Sequence, residues 1–291
     1  IAIVLASLGF AGTAQAQGAS AHPSCNTAAA DACQQAVDFF HYMAPQLGTA
    51  MTGGNTTLAQ GGNLGGFRFG LVPRFAVGVR VNAVMGNVPE FNPQPQLPGP
   101  PPQSNLSTET MFIPLPAVDA AIGVFGGLPL ALSNVGGVDV LLSASYVPKF
   151  EGDNISIVPD KSLAFGYGLR VGILQESLVV PGVGISFMQR KFPVTTLSTE
   201  ESGSSLSVND LDLKSTAWRL TVSKSLLLFG LAAGVGQDRY SASTSISATM
   251  PAPAGTAGPF AVDSKVTRTN YFADVSMNLF ALRKHFDKLM E

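Results

Sequence analysis

Four arginines and four aspartates of this chain share one parity of its alternating segments: Arg80, Arg170, Arg190 and Arg219 with Asp119, Asp139, Asp238 and Asp274. Charges of both signs gathered on the inner face of a sheet must pair or lie in water, because an isolated charge out of water costs several kcal/mol. Two chemistries fit the set: an ion-pair core filling a narrow interior, and a charged constriction in a conduit. The side-chain filling expected of a small closed sheet favours the first. Glycines of the same parity (Gly166, Gly168, Gly172, Gly182, Gly184, Gly230, Gly234 and Gly236) remove side-chain volume. They leave room for a plug, a ligand or neighbouring backbone, or relieve curvature. Gly166-x-Gly168 and Gly234-x-Gly236 are products of alternation and not dinucleotide fingerprints, since no strand–turn–helix unit surrounds them.

Hydrolytic and acyl-transfer chemistry generally needs a base, usually His, beside a nucleophile or activated water. His22 and His41 precede the alternating segments and His285 follows them, so none reaches the rim formed by the long connections. The chain therefore reads as a non-enzyme, without a cofactor or metal. Glu200-Glu201 and Asp210-x-Asp212 could take a divalent cation, but solvated loop charge is the stronger reading. Cys25 and Cys33 do not have a metal-site spacing on their own and suit a disulfide in an oxidising compartment. A helix that started at 28 would constrain that bridge.

The elements that position these groups follow from periodicity. Val37, Phe40, Ala44 and Leu47 recur at helical spacing, which predicts a short helix over 28–48, interrupted or ended near Pro45. Its favoured place is across the mouth of the sheet, with a plug inside as the alternative; a Gly/Thr/Asn-rich connector runs on to Gly66. From Phe67 the period becomes two, and eight strands are predicted: 67–85, 118–124, 138–146, 163–173, 182–190, 208–223, 227–238 and 271–280. Pro73 implies a bulge or hairpin; splitting there gives nine strands and calls for a tenth from 50–62. Connections at 175–177 and 223–225 are tight, whereas 86–116, 147–161, 191–207 and 247–261 are long. The two classes alternate, which places both chain ends on the side of the short turns. The prolines of 89–102 favour a stiff surface connector over a partner ligand.

Composition points to the solvent. Only 12% of the 291 residues are charged, about half the usual share, although 46% are hydrophobic. A net charge of −2 and the lack of any Lys/Arg-rich run set nucleic acid aside as a partner. Ile1 to Phe10 followed by Ala14-Gln15-Ala16 suits a signal peptide cleaved after Ala16. No later apolar stretch approaches the ~20 residues of a spanning helix, and a bilayer core otherwise admits only closed barrels.

Alternation, loop asymmetry and a terminal strand closing near Phe280 resemble the outer-membrane β-barrel proteins of Gram-negative bacteria as a class. The N-terminal helix and connector are similar to the plug of fatty-acid-transporter barrels. The expected fold is all-β: an antiparallel up-and-down transmembrane β-barrel of eight strands, with ten or more as the alternative, and a short N-terminal helix. Its organisation would be a signal peptide at 1–16, a periplasmic segment at 17–66, the barrel at 67–280 and a short helical periplasmic tail at 281–291. The expected function is a narrow channel or carrier for small solutes, including hydrophobic ones, in contact with outer-membrane lipid. The alternative is a closed structural or adhesive barrel that binds partners through its long loops.

Overall fold

The computed structural model describes residues 2–11, 22–25, 30–52, 61–68, 72–89, 108–130, 133–151, 155–201, 203–226, 229–251 and 255–278. In chain order these form β1 (Ala2–Ala11), α1 (Ala30–Thr52), β2 (Phe67–Arg68), β3 (Val72–Pro73), β4 (Phe75–Pro89), β5 (Thr108–Phe125), β6 (Leu128–Leu130), β7 (Ser133–Val135) and β8 (Gly137–Tyr146). There follow β9 (Phe150–Glu151), β10 (Ile155–Pro159), β11 (Leu163–Leu174), β12 (Gly182–Lys191), β13 (Thr195–Glu201), β14 (Ser204–Leu226), β15 (Phe229–Met250) and β16 (Gly255–Asn278).

The protein is mostly antiparallel β with one helix. Its main sheet has the order β1-β16-β15-β14-β12-β11-β8-β5-β4, with β13 added on β14, β10 on β13 and β9 on β10. Eight long strands, β4, β5, β8, β11, β12, β14, β15 and β16, thus pair each with the next, the up-and-down order that short turns impose. These eight stand at the eight positions where period-two alternation occurs. β1 lies beside β4 but no ladder joins them, so the sheet is not closed by hydrogen bonds.

Several expectations are corrected. The first strand does not start at Phe67: β2 and β3 make a separate hairpin, and β4 begins after Pro73, which lacks the N–H that a continuous ladder would use. The long connections are shorter than hydropathy suggests. Residues 86–89 and 108–116 pair in β4 and β5; β9, β10 and β13 lie within 147–161 and 191–207; β15 and β16 extend to Met250 and from Gly255. On β15 the outward positions of this extension are Ser243, Ser245, Ser247 and Thr249 in place of apolar residues, which hides the alternation from a hydrophobicity reading.

The helix runs through Pro45 to Thr52 instead of stopping there. A proline inside a helix costs about 3 kcal/mol; here the flanking turns bury Phe40, Met43, Ala44, Leu47 and Met51, and tertiary packing outweighs the lost bond. The helix does not cross a mouth of the sheet either. It lies on the inner face, against β14, β15 and β16 from one side and β4 and β5 from the other. Ala2–Ala11, within the expected signal peptide, pairs with β16 from Ala2↔Asn278 to Ala11↔Asn270. The expected C-terminal tail at 281–291, Phe280 and the proline-rich stretch at 90–102 lie outside the described residues.

Candidate functional site

Strand registers stack the inward side chains in level rows. One row reads Gly123, Asp139, Arg170, Ser186, Arg219, Gly236 and Asn270 across β5, β8, β11, β12, β14, β15 and β16. The row above reads Ala121, Leu141, Gly168, Met188, Ala217, Asp238 and Arg268, and the next Asp119, Ser143, Gly166, Arg190, Ser215, Tyr240 and Val266. Alternation alone puts these groups on one face, and pairing then sets their heights. Asp119, Asp139, Arg170, Arg190, Arg219, Asp238 and Asp274 are all buried there. The side chain of Arg80 lies outside the described residues, although its backbone pairs with Ala117.

Two ion pairs organise the middle of this face. Arg170 donates from Nε and Nη2 to Oδ2 of Asp139, at 2.8 and 2.6 Å, with both side chains essentially without exposure. The Leu64 amide donates to both Asp139 oxygens at 3.1 Å. Arg219 Nη1 meets Asp238 Oδ1 at 2.5 Å. The other Asp238 oxygen accepts from Thr52 Oγ1 at 3.0 Å, from the Tyr240 hydroxyl at 2.9 Å and from Asn270 Nδ2. Charged hydrogen bonds of this kind compensate the desolvation that burial imposes. They also tie the N-terminal segment down: Thr52 ends α1, Arg268 Nη1 donates to Thr49 Oγ1 at 3.0 Å, and Leu64 lies beyond the helix.

Below the ion pairs glycine stands at the inward positions of β8, β11, β12 and β15, with Thr221 on β14 and Phe272 on β16. Gly137, Gly172, Gly184, Thr221 and Gly234 form one row, and residues 61–66 lie on it. A Cβ at Gly184 would overlap the Gly61 carbonyl oxygen, one at Gly172 would sit 2.8 Å from the Asn63 nitrogen, and one at Gly182 2.8 Å from the Gly62 nitrogen. These glycines therefore admit backbone, one of the uses their sequence pattern allowed. Gly61 N donates to Ser223 Oγ at 2.7 Å and Asn63 Nδ2 to the Phe125 carbonyl at 3.2 Å. Gly166 and Gly236 instead make room for the Arg190 and Arg219 side chains, and Gly234 for the Phe272 ring. A cleft of about 410 Å³ opens at the turn end, lined by Gly62, Asn63, Leu64, Gln175, Glu176, Ser177, Leu178 and Ser225.

Above the row of Asp119 and Arg190 the inner face of β14, β15 and β16 is largely apolar. Val37, Phe40, Ala44, Leu47 and Met51 of α1 pack on Leu206, Val208, Leu211, Leu213, Ile246 and Val262. Cys25 and Cys33 are joined in a disulfide at the edge of this core, with Cα atoms 5.4 Å apart; Cys25 precedes α1, so the helix does not constrain the bridge. His22 stacks on Phe260 with ring centroids 5.2 Å apart. His41, on α1, is held below its ordinary value by burial, against the opposing pull of Asp38 and with a small further lowering from His22. Half-buried Asp212 forms ion pairs with exposed Lys191 and Lys214 at 3.4 and 3.1 Å, outside this core. No group of three His, Cys, Asp or Glu residues among those described has the arrangement to hold a metal ion.

The N-terminal partners Thr52, Asn63 and Leu64 escaped the sequence reading, because nothing local marks a residue that will meet a strand more than sixty positions away. Tyr240 and Asn270 could have been found, since both share the parity of Asp238. Compared with known protein families, curated proteins and solved structures, the chain matches none.

Proposed function

We propose that the protein is a β-barrel of the bacterial outer membrane, exported through a leader at 1–16, whose bore is occupied by its own N-terminal segment. The observation that supports this most is a reversal of polarity along single strands. In the first half of β15 the outward residues are Phe229, Leu231, Ala233 and Val235, and Asp238 faces in. In its second half Ser241, Ser243, Ser245, Ser247 and Thr249 face out, while Ala242, Ile246, Ala248 and Met250 are buried. β14 and β16 switch at the same height: Trp218, Leu220, Val222, Tyr271 and Val275 lie exposed below, and Leu206, Val208, Ala257 and Val262 buried above. A sheet in water gains by burying apolar side chains, whereas one in lipid must present them. One half of each strand therefore suits lipid and the other water.

The exposed apolar face continues round the sheet. On β11 it comprises Leu163, Phe165, Tyr167, Leu169, Val171 and Ile173, with Phe165 63% exposed, and it extends through Leu142 and Val118 to Phe75, which is 73% exposed. Ten residue steps at about 3.3 Å make ~33 Å, or ~25 Å of height at the ~40° tilt usual for such barrels, which matches their lipid-facing band. With residues 1–16 removed, closure would require β4 to pair with β16, and these two strands run in opposite senses.

Occupation of the bore by α1 and residues 61–66 favours the closed barrel over a standing channel, with the water-exposed upper sheet and long connections as the partner-binding part. A carrier that lets a small solute pass once 61–66 leaves its glycine seat is the second reading, favoured by the cleft beside that seat. Purified protein should fold only in detergent or lipid, shift its gel mobility on heating and stay silent in planar bilayers. Folding without amphiphile would remove the membrane reading, and reproducible openings of native protein would remove the closed one.

A further inference from the structure

We propose that the outward face just above the apolar belt binds the phosphate headgroups of membrane lipid, in the leaflet on the side of the long connections, through Lys191, Lys214, Arg239 and Lys265. The proposal rests on the membrane reading above. Lys191 on β12 stands directly opposite Lys214 on β14; Ser241 on β15 is opposite Lys214 and also opposite Lys265 on β16. Arg239 lies one row lower, between Thr216 and Thr267. All four cations are exposed. Directly below that row come Phe187 and Trp218, and then Tyr271. Aromatic side chains of this kind mark the depth of the headgroups, so the cations stand where phosphates lie.

Charge balance supports the same occupant. Like charges directly opposite each other on a sheet are destabilising, and Lys191 and Lys214 face each other with the single carboxylate of Asp212 between them. Asp263 is the other acid in the row above, so in these rows four cations meet two carboxylates. Lys214 and Lys265 are two strands apart, about 10 Å, which flexible side chains can close around a phosphate. The opposite border of the belt differs. Among the described residues Lys224 and Arg74 stand there; the Lys224 ammonium is already held by the Ser177 and Leu178 carbonyls at 2.7 and 2.8 Å, and Arg74 Nη1 donates to the Leu64 carbonyl at 3.1 Å. One leaflet is therefore singled out.

The test uses the full chain reconstituted in nanodiscs of phosphatidylcholine alone or doped with phosphatidic acid, with co-purifying lipid read by native mass spectrometry. The wild type should retain phosphatidic acid selectively. K191Q/K214Q should insert equally well and lose that preference by roughly 30-fold, the conversion of about 1 kcal/mol for each basic residue near an anionic surface; K191R/K214R should keep it. Equal retention of the two lipids by the wild type, or an unchanged preference in K191Q/K214Q, would overturn the proposal while leaving the membrane reading intact. Loss of the preference on adding equimolar inorganic phosphate would assign the patch to free phosphate and overturn the lipid assignment. Failure to insert into either nanodisc would overturn the membrane reading itself.

Discussion

Replacing Arg170 by Met tests the inner face most directly. The substitution preserves much of the side-chain volume but removes the two hydrogen bonds to Asp139 Oδ2, at 2.8 and 2.6 Å. Asp139 is 0% exposed and would keep the Leu64 amide, at 3.1 Å from each oxygen. Breaking a buried pair by removing one partner costs about 3–5 kcal/mol, because a charge is left desolvated without its counter-charge. That is a large share of the 5–15 kcal/mol typical of folded domains. The D139L/R170M double variant removes both charges, and its loss should fall short of the sum of the single losses by roughly 0.5–3 kcal/mol. Urea titration in detergent micelles reads these values through Trp218, the single tryptophan, which sits exposed at the upper border of the apolar belt and changes surroundings on unfolding. A loss below about 1 kcal/mol for R170M, or strict additivity in the double variant, would refute the inner-face ion pair as a stabilised buried charge.

Three further outcomes follow from the same structure. Gly184→Ala places a methyl group on the Gly61 carbonyl, so hydrogen exchange at the amides of 61–66 should accelerate while α1 stays protected; unchanged exchange would mean the glycine row does not seat that segment. If the proposed membrane placement holds, Leu169→Arg, in the middle of the exposed apolar face of β11, should destabilise the protein in lipid by about 2–4 kcal/mol, whereas on a water-facing strand the change would stay within about 0.5 kcal/mol. His41 is held low by burial in the folded protein, so its contribution is fully present above the unfolded value of about 6.5 and is lost as pH falls through that value towards the folded one. Thermal unfolding of wild type should therefore soften below about pH 6.5 more than that of His41→Gln, and parallel pH profiles would exclude His41 as the source.

Period-two alternation by itself located the eight long strands and the inward parity of Arg170, Arg219, Asp139 and Asp238, because a strand with different surroundings on its two faces must repeat every second residue. Four features needed the tertiary structure. The outer ends of β14, β15 and β16 fall in the stretches expected as long connections, 191–207 and 247–261, since Ser247 and Thr249 place polar residues outward and only packing in the core with α1 shows where Ala248 and Met250 point. Passage of the helix through Pro45 depends on burial that no local propensity contains. The pairing of β1 with β16 joins the two ends of the chain, beyond the reach of any periodicity. The inner-face glycines had several compatible uses, and only the path of residues 61–66 across Gly172, Gly182 and Gly184 selected one: a glycine records that space is needed, while its occupant is chosen by contacts from far along the chain.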